Sequence, residues 1–197
     1  MCALTVVSRG MFNRNLVLDE VGVRRGQLLV AWDEVDHYRY DWHDWSHPGD
    51  LVVVSRTGTV VRIAPIFDQW PVVADRVLRE LHGRLRADPW FAPFTLEHDA
   101  LVHVVIGRLP LVEIEHVELA AFGSSIIVVV HARGAGEWSE TDASQIANVW
   151  LWLEVLAERG VAIYSQLALH LPPVLTRLGD RIAAGRNLPK ATVVRLS

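Results

Sequence analysis

The sequence predicts an α+β protein, mainly β, made of two antiparallel β units, each capped by an amphipathic helix, with a C-terminal α/β extension. Three observations predict it. Residues 18–38 (LDEVGVRRGQLLVAWDEVDHY) and 96–119 (LEHDALVHVVIGRLPLVEIEHVEL) follow one pattern: a leucine with acidic residues behind it, a short apolar strand, a polar turn and a second strand. Each closes on a similar signature, Trp32-Asp33-Glu34-Val35 or Leu111-Val112-Glu113-Ile114, that feeds a third strand; such a repeat marks a duplicated supersecondary unit. In both halves the strands then give way to apolar residues at helical spacing. The boundaries that follow are 1–88 for the first unit, 89–160 for a shorter second unit, and 161–197 for a strand and helix packed on the second.

Within the first unit, residues 4–8, 14–18, 27–31, 35–40, 51–56 and 59–63 are rich in Val, Leu, Ile and Tyr and read as strands. Thr57-Gly58 suits a tight hairpin between the last two, and Arg24-Arg25-Gly26 suits another turn. From Asp68 the period changes. Trp70, Val73, Ala74, Val77, Leu78, Leu81 and Leu85 form a helical stripe, with Asp68 as N-cap and Pro71 in the first turn, where its missing N–H costs nothing. The second unit repeats the order with fewer strands, at 94–96, 101–106, 115–119 and 125–131. After the Gly-rich loop 133–136, a second helix is expected to start at Thr141 or Asp142, with Ile146, Val149, Trp150, Leu153, Leu156 and Ala157 on its stripe. A strand within 161–169, a short helix after Pro172-Pro173, and a last strand or tail at 191–196 complete the chain. Val35 and Ile114 are expected at equivalent positions of the two units.

Many short antiparallel strands closed by one amphipathic helix, with a strand at 27–31, then Trp32-Asp33-Glu34-Val35, then strands around Gly58, resemble the bacterial pleckstrin-homology-like (PH-like) families. The resemblance covers the chain up to about Gly160 and lies in the pattern more than in any motif. It implies a tandem PH-like β-barrel architecture with a binding or scaffold role, and it carries over no catalytic residue.

Composition narrows the partners. Half the residues are apolar (51%) and 21% are charged, enough apolar content for a sizeable core. A net charge of −4 argues against nucleic acid or an anionic membrane, either of which needs a concentrated basic surface. Arg9, Arg14, Arg24 and Arg25 do not match a phosphoinositide-binding loop, and Lys190 is the sole lysine. Cys2 is the sole cysteine, so an intrachain disulfide is excluded. The start MCALTVVSRG lacks the pattern of a secretory signal, and runs such as 126–130 are too short to span a bilayer, so a cytoplasmic protein without an integral membrane segment is expected.

The segment 37–50 (HYRYDWHDWSHPGD) crowds His, Asp, Trp and Tyr into a single loop. Tyr40, Trp42, His43, Trp45 and His47 are the interface candidates, because aromatic rings combine large contact area with a polar handle, and Trp42 and Trp45 fit no core stripe. Trp32, Trp70 and Trp150 fall at core positions, and Trp152 falls off the main stripe of its helix. A metal reading of the same loop rests on His43 and His47 flanked by Asp41, Asp44 and His37. The loop setting does not bring such ligands together as a helix would, so no metal or cofactor is expected. In EIEHVE, strand alternation puts Glu113 and Glu115 on one face and His116 with Glu118 on the other; a solvated face is expected. The P-loop, dinucleotide fingerprint and nucleophile elbow are missing from the sequence. A non-catalytic binding or scaffold protein acting through protein or self-association follows, helped by strand edges that an incomplete second barrel leaves open. The alternative is a small-molecule binding protein or enzyme with a Trp/His-lined pocket between the units.

Overall fold

A computed structural model describes residues 4–6, 16–42, 49–65, 70–167, 169 and 171–184. The first half opens with a four-stranded antiparallel meander: β1 (Leu4–Val6), β2 (Leu16–Leu18), β3 (Gly22–Arg25) and β4 (Leu28–Ala31). Asp19 shapes the β2–β3 turn by accepting the Val21 and Gly22 amides on its carboxylate at 2.9 and 3.0 Å. Gly22 is required there, since a Cβ would lie 2.2 Å from the Val30 carbonyl oxygen. A 3-10 turn, Trp32–Glu34, buries the Trp32 ring, whose indole N–H donates to the Asp19 carbonyl at 2.9 Å. A second meander follows, β5 (Val35–Asp41), β6 (Asp50–Ser55) and β7 (Val60–Ile63), and then helix α1 (Trp70–Leu85).

The second half runs in the same order. β8 (Phe94–Leu96), β9 (Ala100–His103) and β10 (Gly107–Pro110) form one sheet, and a 3-10 turn, Leu111–Glu113, leads into β11 (Ile114–Phe122), β12 (Ser125–Ala132) and β13 (Gly136–Asp142). After a 3-10 turn at Ala143–Gln145 comes helix α2 (Val149–Glu158). β14 (Ile163–Ser165) joins β11 in parallel, and a 3-10 turn at Pro173–Leu175 precedes helix α3 (Thr176–Ala184).

The halves agree in detail. Val35 pairs with Ser55 and Ile114 with Ala132, and in each case a bulge intervenes before the next paired residue, His37 or His116. The Arg56 amide donates to the Glu34 carbonyl, and the Arg133 amide to that of Glu113. The Trp32 amide donates to Val21, and the Leu111 amide to Asp99. Val35 and Ile114 are thus equivalent. In each half the 3-10 turn interrupts the ladder between the first and second meander, so among the described residues the strands form separate sheets and not a closed barrel.

Several sequence expectations are corrected. The second unit holds more strands than expected, since β10 and β13 are additional, giving six (β8–β13) against seven in the first unit among the described residues. Segment GEWSETD is a strand because Ser139 and Thr141 point inward, and small polar residues on the buried face hid its alternation. Helix α2 begins at Val149, not at Asp142. Asp142 does cap, but its carboxylate accepts the Ser144 amide (2.8 Å) and hydroxyl (2.6 Å) of the preceding 3-10 turn. Arg24 and Arg25 belong to β3, the turn falling at Gly26 with φ 64°. β9 ends at His103, because Gly107 (φ 108°) turns the chain and leaves 104–106 in the loop. The N-cap expected at Asp68 and the strand or tail at 191–196 lie outside the described residues.

Helix α2 is not a one-faced cap. Val149, Trp150, Leu151, Trp152, Leu153, Leu156 and Ala157 are all buried, and only the strip of Glu154, Val155 and Glu158 approaches solvent, so burial extends well beyond one stripe. Trp150 packs edge-on against Tyr40 and Trp42, with centroids 5.6 and 5.4 Å away, whereas Trp152 stacks on Phe94 at 4.7 Å. One continuous core therefore runs through both halves, with α2 in its middle.

The indole N–H of Trp152 is buried and meets no acceptor among the described residues. Trp152→Phe should therefore leave stability nearly unchanged, since it removes an unpaired donor along with some packing. Trp152→Ala should cost about 3–5 kcal/mol through the cavity it opens. Urea denaturation of both variants checks this, and equal losses would show that the indole nitrogen is not an unpaired group.

Candidate functional site

Of the aromatic loop candidates, Tyr40 is a core residue at 1% exposure, and burial pushes its phenol well above the ordinary tyrosine value. Trp42, the residue just after β5, lies partly buried on the core, 4.7 Å from Tyr40, and both rings meet Trp150 of α2. His43, Asp44, Trp45 and His47 lie outside the described residues. Asp41 and Asp50 close the neck of this loop as a cross-strand pair, and Arg62 donates to both carboxylates at 2.8 Å. The hydrogen bond to Asp50, outweighing burial, raises the Arg62 guanidinium above its ordinary value. Asp41 thus serves an ion pair. His37 sits 2.8 Å from the Asp36 carboxylate and edge-on to Trp90.

The junction of the halves holds a buried polar chain that the sequence did not reveal. The Tyr38 hydroxyl lies 2.8 Å from His82 Nε2 and accepts the Leu151 amide at 3.1 Å. His82 Nδ1 lies 3.1 Å from the Glu154 carboxylate. Burial holds the Tyr38 phenol far above the ordinary tyrosine value, so it stays neutral, and the acceptor-only Glu154 carboxylate suits an N–H at His82 Nδ1. Every member is satisfied and packed, which makes the chain a bolt between β5, α1 and α2. Beside it Asn148, fully buried in the left-handed conformation (φ 55°), accepts the Tyr38 amide on Oδ1 and donates its own amide to the Tyr38 carbonyl. Its Nδ2 donates to the Trp90 carbonyl at 2.8 Å.

On the outer face of the second sheet, the register places His116 directly opposite His131, with rings stacked at 4.1 Å and 18°. Glu118, next but one along β11 and on the same face, brings a carboxylate oxygen 3.2 Å from His131 Nε2. The side-chain amide of Gln166 donates to the other Glu118 oxygen. Tyr164 of β14 lies 5.1 Å from the His116 ring. Burial first, and the neighbouring His131 second, lower His116 below the ordinary histidine value against the opposing pull of Glu115 and Glu118. The sequence put His116 and Glu118 on one face, and the structure agrees. It missed His131, although a count outward from the two-residue turn at Gly123-Ser124 pairs the histidines. Glu113 and Glu115, in the turn and at the bulge, are exposed.

The loop after β9 presents Val104, Val105 and Ile106 to solvent at 73%, 83% and 47% exposure. His103 anchors it, its Nδ1 accepting the Val105 and Ile106 amides at 3.2 and 3.3 Å. Burial lowers the His103 imidazole below its ordinary value. No protein-family model matches the chain, and no curated protein matches it. Among the described residues no helix is long and apolar enough to cross a membrane.

Two outcomes are expected. Asn148→Ala should cost about 3 kcal/mol or more, combining two lost side-chain hydrogen bonds with left-handed strain, whereas Asn148→Gly should cost about 2 kcal/mol. If Asn148→Gly melts with the wild type, the side-chain amide does not lock the halves. The second concerns pH. His103 binds protons more weakly folded than unfolded, so stability should be flat above the ordinary value of 6.5 and decline as pH falls below it. His103→Asn, which keeps an acceptor but does not titrate, should show a shallower decline in urea melts; an unchanged slope would remove His103 as a contributor.

Proposed function

We propose that the protein is a non-catalytic binding or scaffold module of tandem PH-like type, acting in the cytoplasm through association with protein, a second copy of itself first. The observation that carries this reading is the apolar tip at Val104, Val105 and Ile106. Three large exposed apolar side chains in succession are a contact surface, whereas Val112 and Phe122, also exposed, stand singly and are ordinary. The repeated order of meander, 3-10 turn, meander and helix supports the PH-like part of the reading.

Charge distinguishes among partners. Arg108, the cation that follows the tip, is tied to Glu97 at 3.0 Å and Asp99 at 2.7 Å, so it is not offered to anionic lipid. Edge pairing through β13 is disfavoured, since Glu137, Glu140 and Asp142 line that strand, and charged edges resist strand addition. A protein surface with an apolar pocket is the partner that suits the tip.

A second reading, a small-molecule binder, draws on an open cleft of about 400 Å³ lined by Ala157, Gly160, Val161, Ile163, Tyr164 and Arg181, within the size range of ligand sites. It lies beside β14 and not between the halves, where Trp150 and His82 are packed into the core.

Light scattering coupled to size exclusion is expected to give a defined oligomer for the wild type. Val105→Asp should be monomeric with an unchanged melting temperature, because an exposed tip contributes little to the fold. A monomeric wild type whose melting temperature rises with a specific small molecule would overturn the scaffold reading in favour of the cleft.

A further inference from the structure

We propose that His116, Glu118 and His131 form a binding site for a divalent transition-metal ion of the zinc type on the outer face of the second sheet. The three ligand atoms lie within 4.8 Å of one another. Two donors bound about 2.1 Å from a tetrahedral ion stand about 3.4 Å apart, so modest rotamer adjustment closes the set around a cation. Two imidazoles with a carboxylate select zinc, nickel or copper over magnesium and calcium, which take oxygen ligands.

The site is built on rigid elements. Both histidines belong to β11 and β12, adjacent strands paired on both sides: β11 with β14, and β12 with β13. Glu118 is oriented by a support of the kind that metal-ligating carboxylates carry. The Gln166 side chain holds one of its oxygens, and the Gln166 backbone amide is fixed in turn on the Leu119 carbonyl at 3.1 Å. The second oxygen is left facing His131. Glu137 stands opposite His131 in the register of β13, a further carboxylate beside the site. Three protein ligands leave a coordination position for water or for a group from a partner.

The first half supplies an internal contrast. His37 follows the equivalent bulge and so matches His116, but Val54 stands opposite it where His131 would be, and Arg39 occupies the place of Glu118. The duplicated framework retains one imidazole there, already paired with the adjacent Asp36 carboxylate, and no second histidine.

The test is isothermal titration of untagged, metal-free protein with zinc chloride, and separately with magnesium chloride. One zinc ion per chain is expected, with no magnesium heat. His116→Ala and His131→Ala should each weaken zinc binding by about tenfold or more, and Glu118→Gln should weaken it less. The His43→Ala/His47→Ala double variant should bind as the wild type does. Zinc-induced shifts of the His116 and His131 ring resonances in the wild-type protein provide a readout that needs no variant. Absence of saturable zinc binding, full retention of binding in both single histidine variants, loss of binding in the His43/His47 variant, or ring resonances unmoved by zinc would each overturn the site.

Discussion

The structure depends on the burial of α2 between the two halves. A helix that reads VWLWLEVLAE offers water little beyond the strip of Glu154 and Glu158, so most of its circumference must be covered, and both halves contribute to covering it. Trp150 and Trp152, two positions apart, project in different directions: one packs on the Tyr40 and Trp42 rings of the first half, the other on Phe94 of the second. The halves are therefore bound through a shared core element. Its burial accounts for the cost of the two indole N–H groups that find no acceptor among the described residues.

Enclosing α2 also settles two strand edges. Tyr38 in β5 and Val117 in β11 hold corresponding places after their bulges, and each presents its amide away from its meander. The Val117 amide donates to the Ala162 carbonyl, in the segment just after α2 that leads into β14. The Tyr38 amide donates to Asn148 Oδ1, in the residue just before α2. The chain entering the helix covers one edge, and the chain leaving it covers the other. On the first edge a side-chain amide replaces a backbone one, and it can do so because Asn tolerates the left-handed conformation that turns it towards β5. A buried residue that meets both demands has few substitutes, and the edges it and β14 close would otherwise be open to pairing with other chains.

What the sequence made legible follows from the range of the interactions. The repeat, the first helix and most strands rest on local periodicity, and the Trp32-Asp33-Glu34 and Leu111-Val112-Glu113 signatures mark the same 3-10 turn in each half. β13 escaped because its inward residues are Ser139 and Thr141, so burial ran against hydrophobicity. Trp152 looked peripheral because a stripe assumes a single buried face. Tyr38, His82 and Glu154 are far apart in the chain and ordinary in isolation, and only the packing of three elements makes them one chain of hydrogen bonds. The His131 pairing was within reach, since a two-residue turn fixes an antiparallel register, but it required counting across the hairpin instead of along the strand.

The same comparison separates the two outer faces. Duplication copies a framework, and the bulge after Val35 or Ile114 sets the next histidine on the outside of its sheet in both halves. In the first half that histidine leans on Trp90 and Asp36, and the surface around it serves the contact between halves. In the second half β14 and α3 pack beside the equivalent surface, where His116, Glu118 and His131 are partly buried. Polar side chains gather there at modest cost because they are partly solvated and partner one another, whereas the same groups beneath α2 would each need a buried partner. The asymmetry of the molecule thus lies in what surrounds each equivalent histidine: Asp36 and Trp90 in the first half, His131 and Tyr164 in the second.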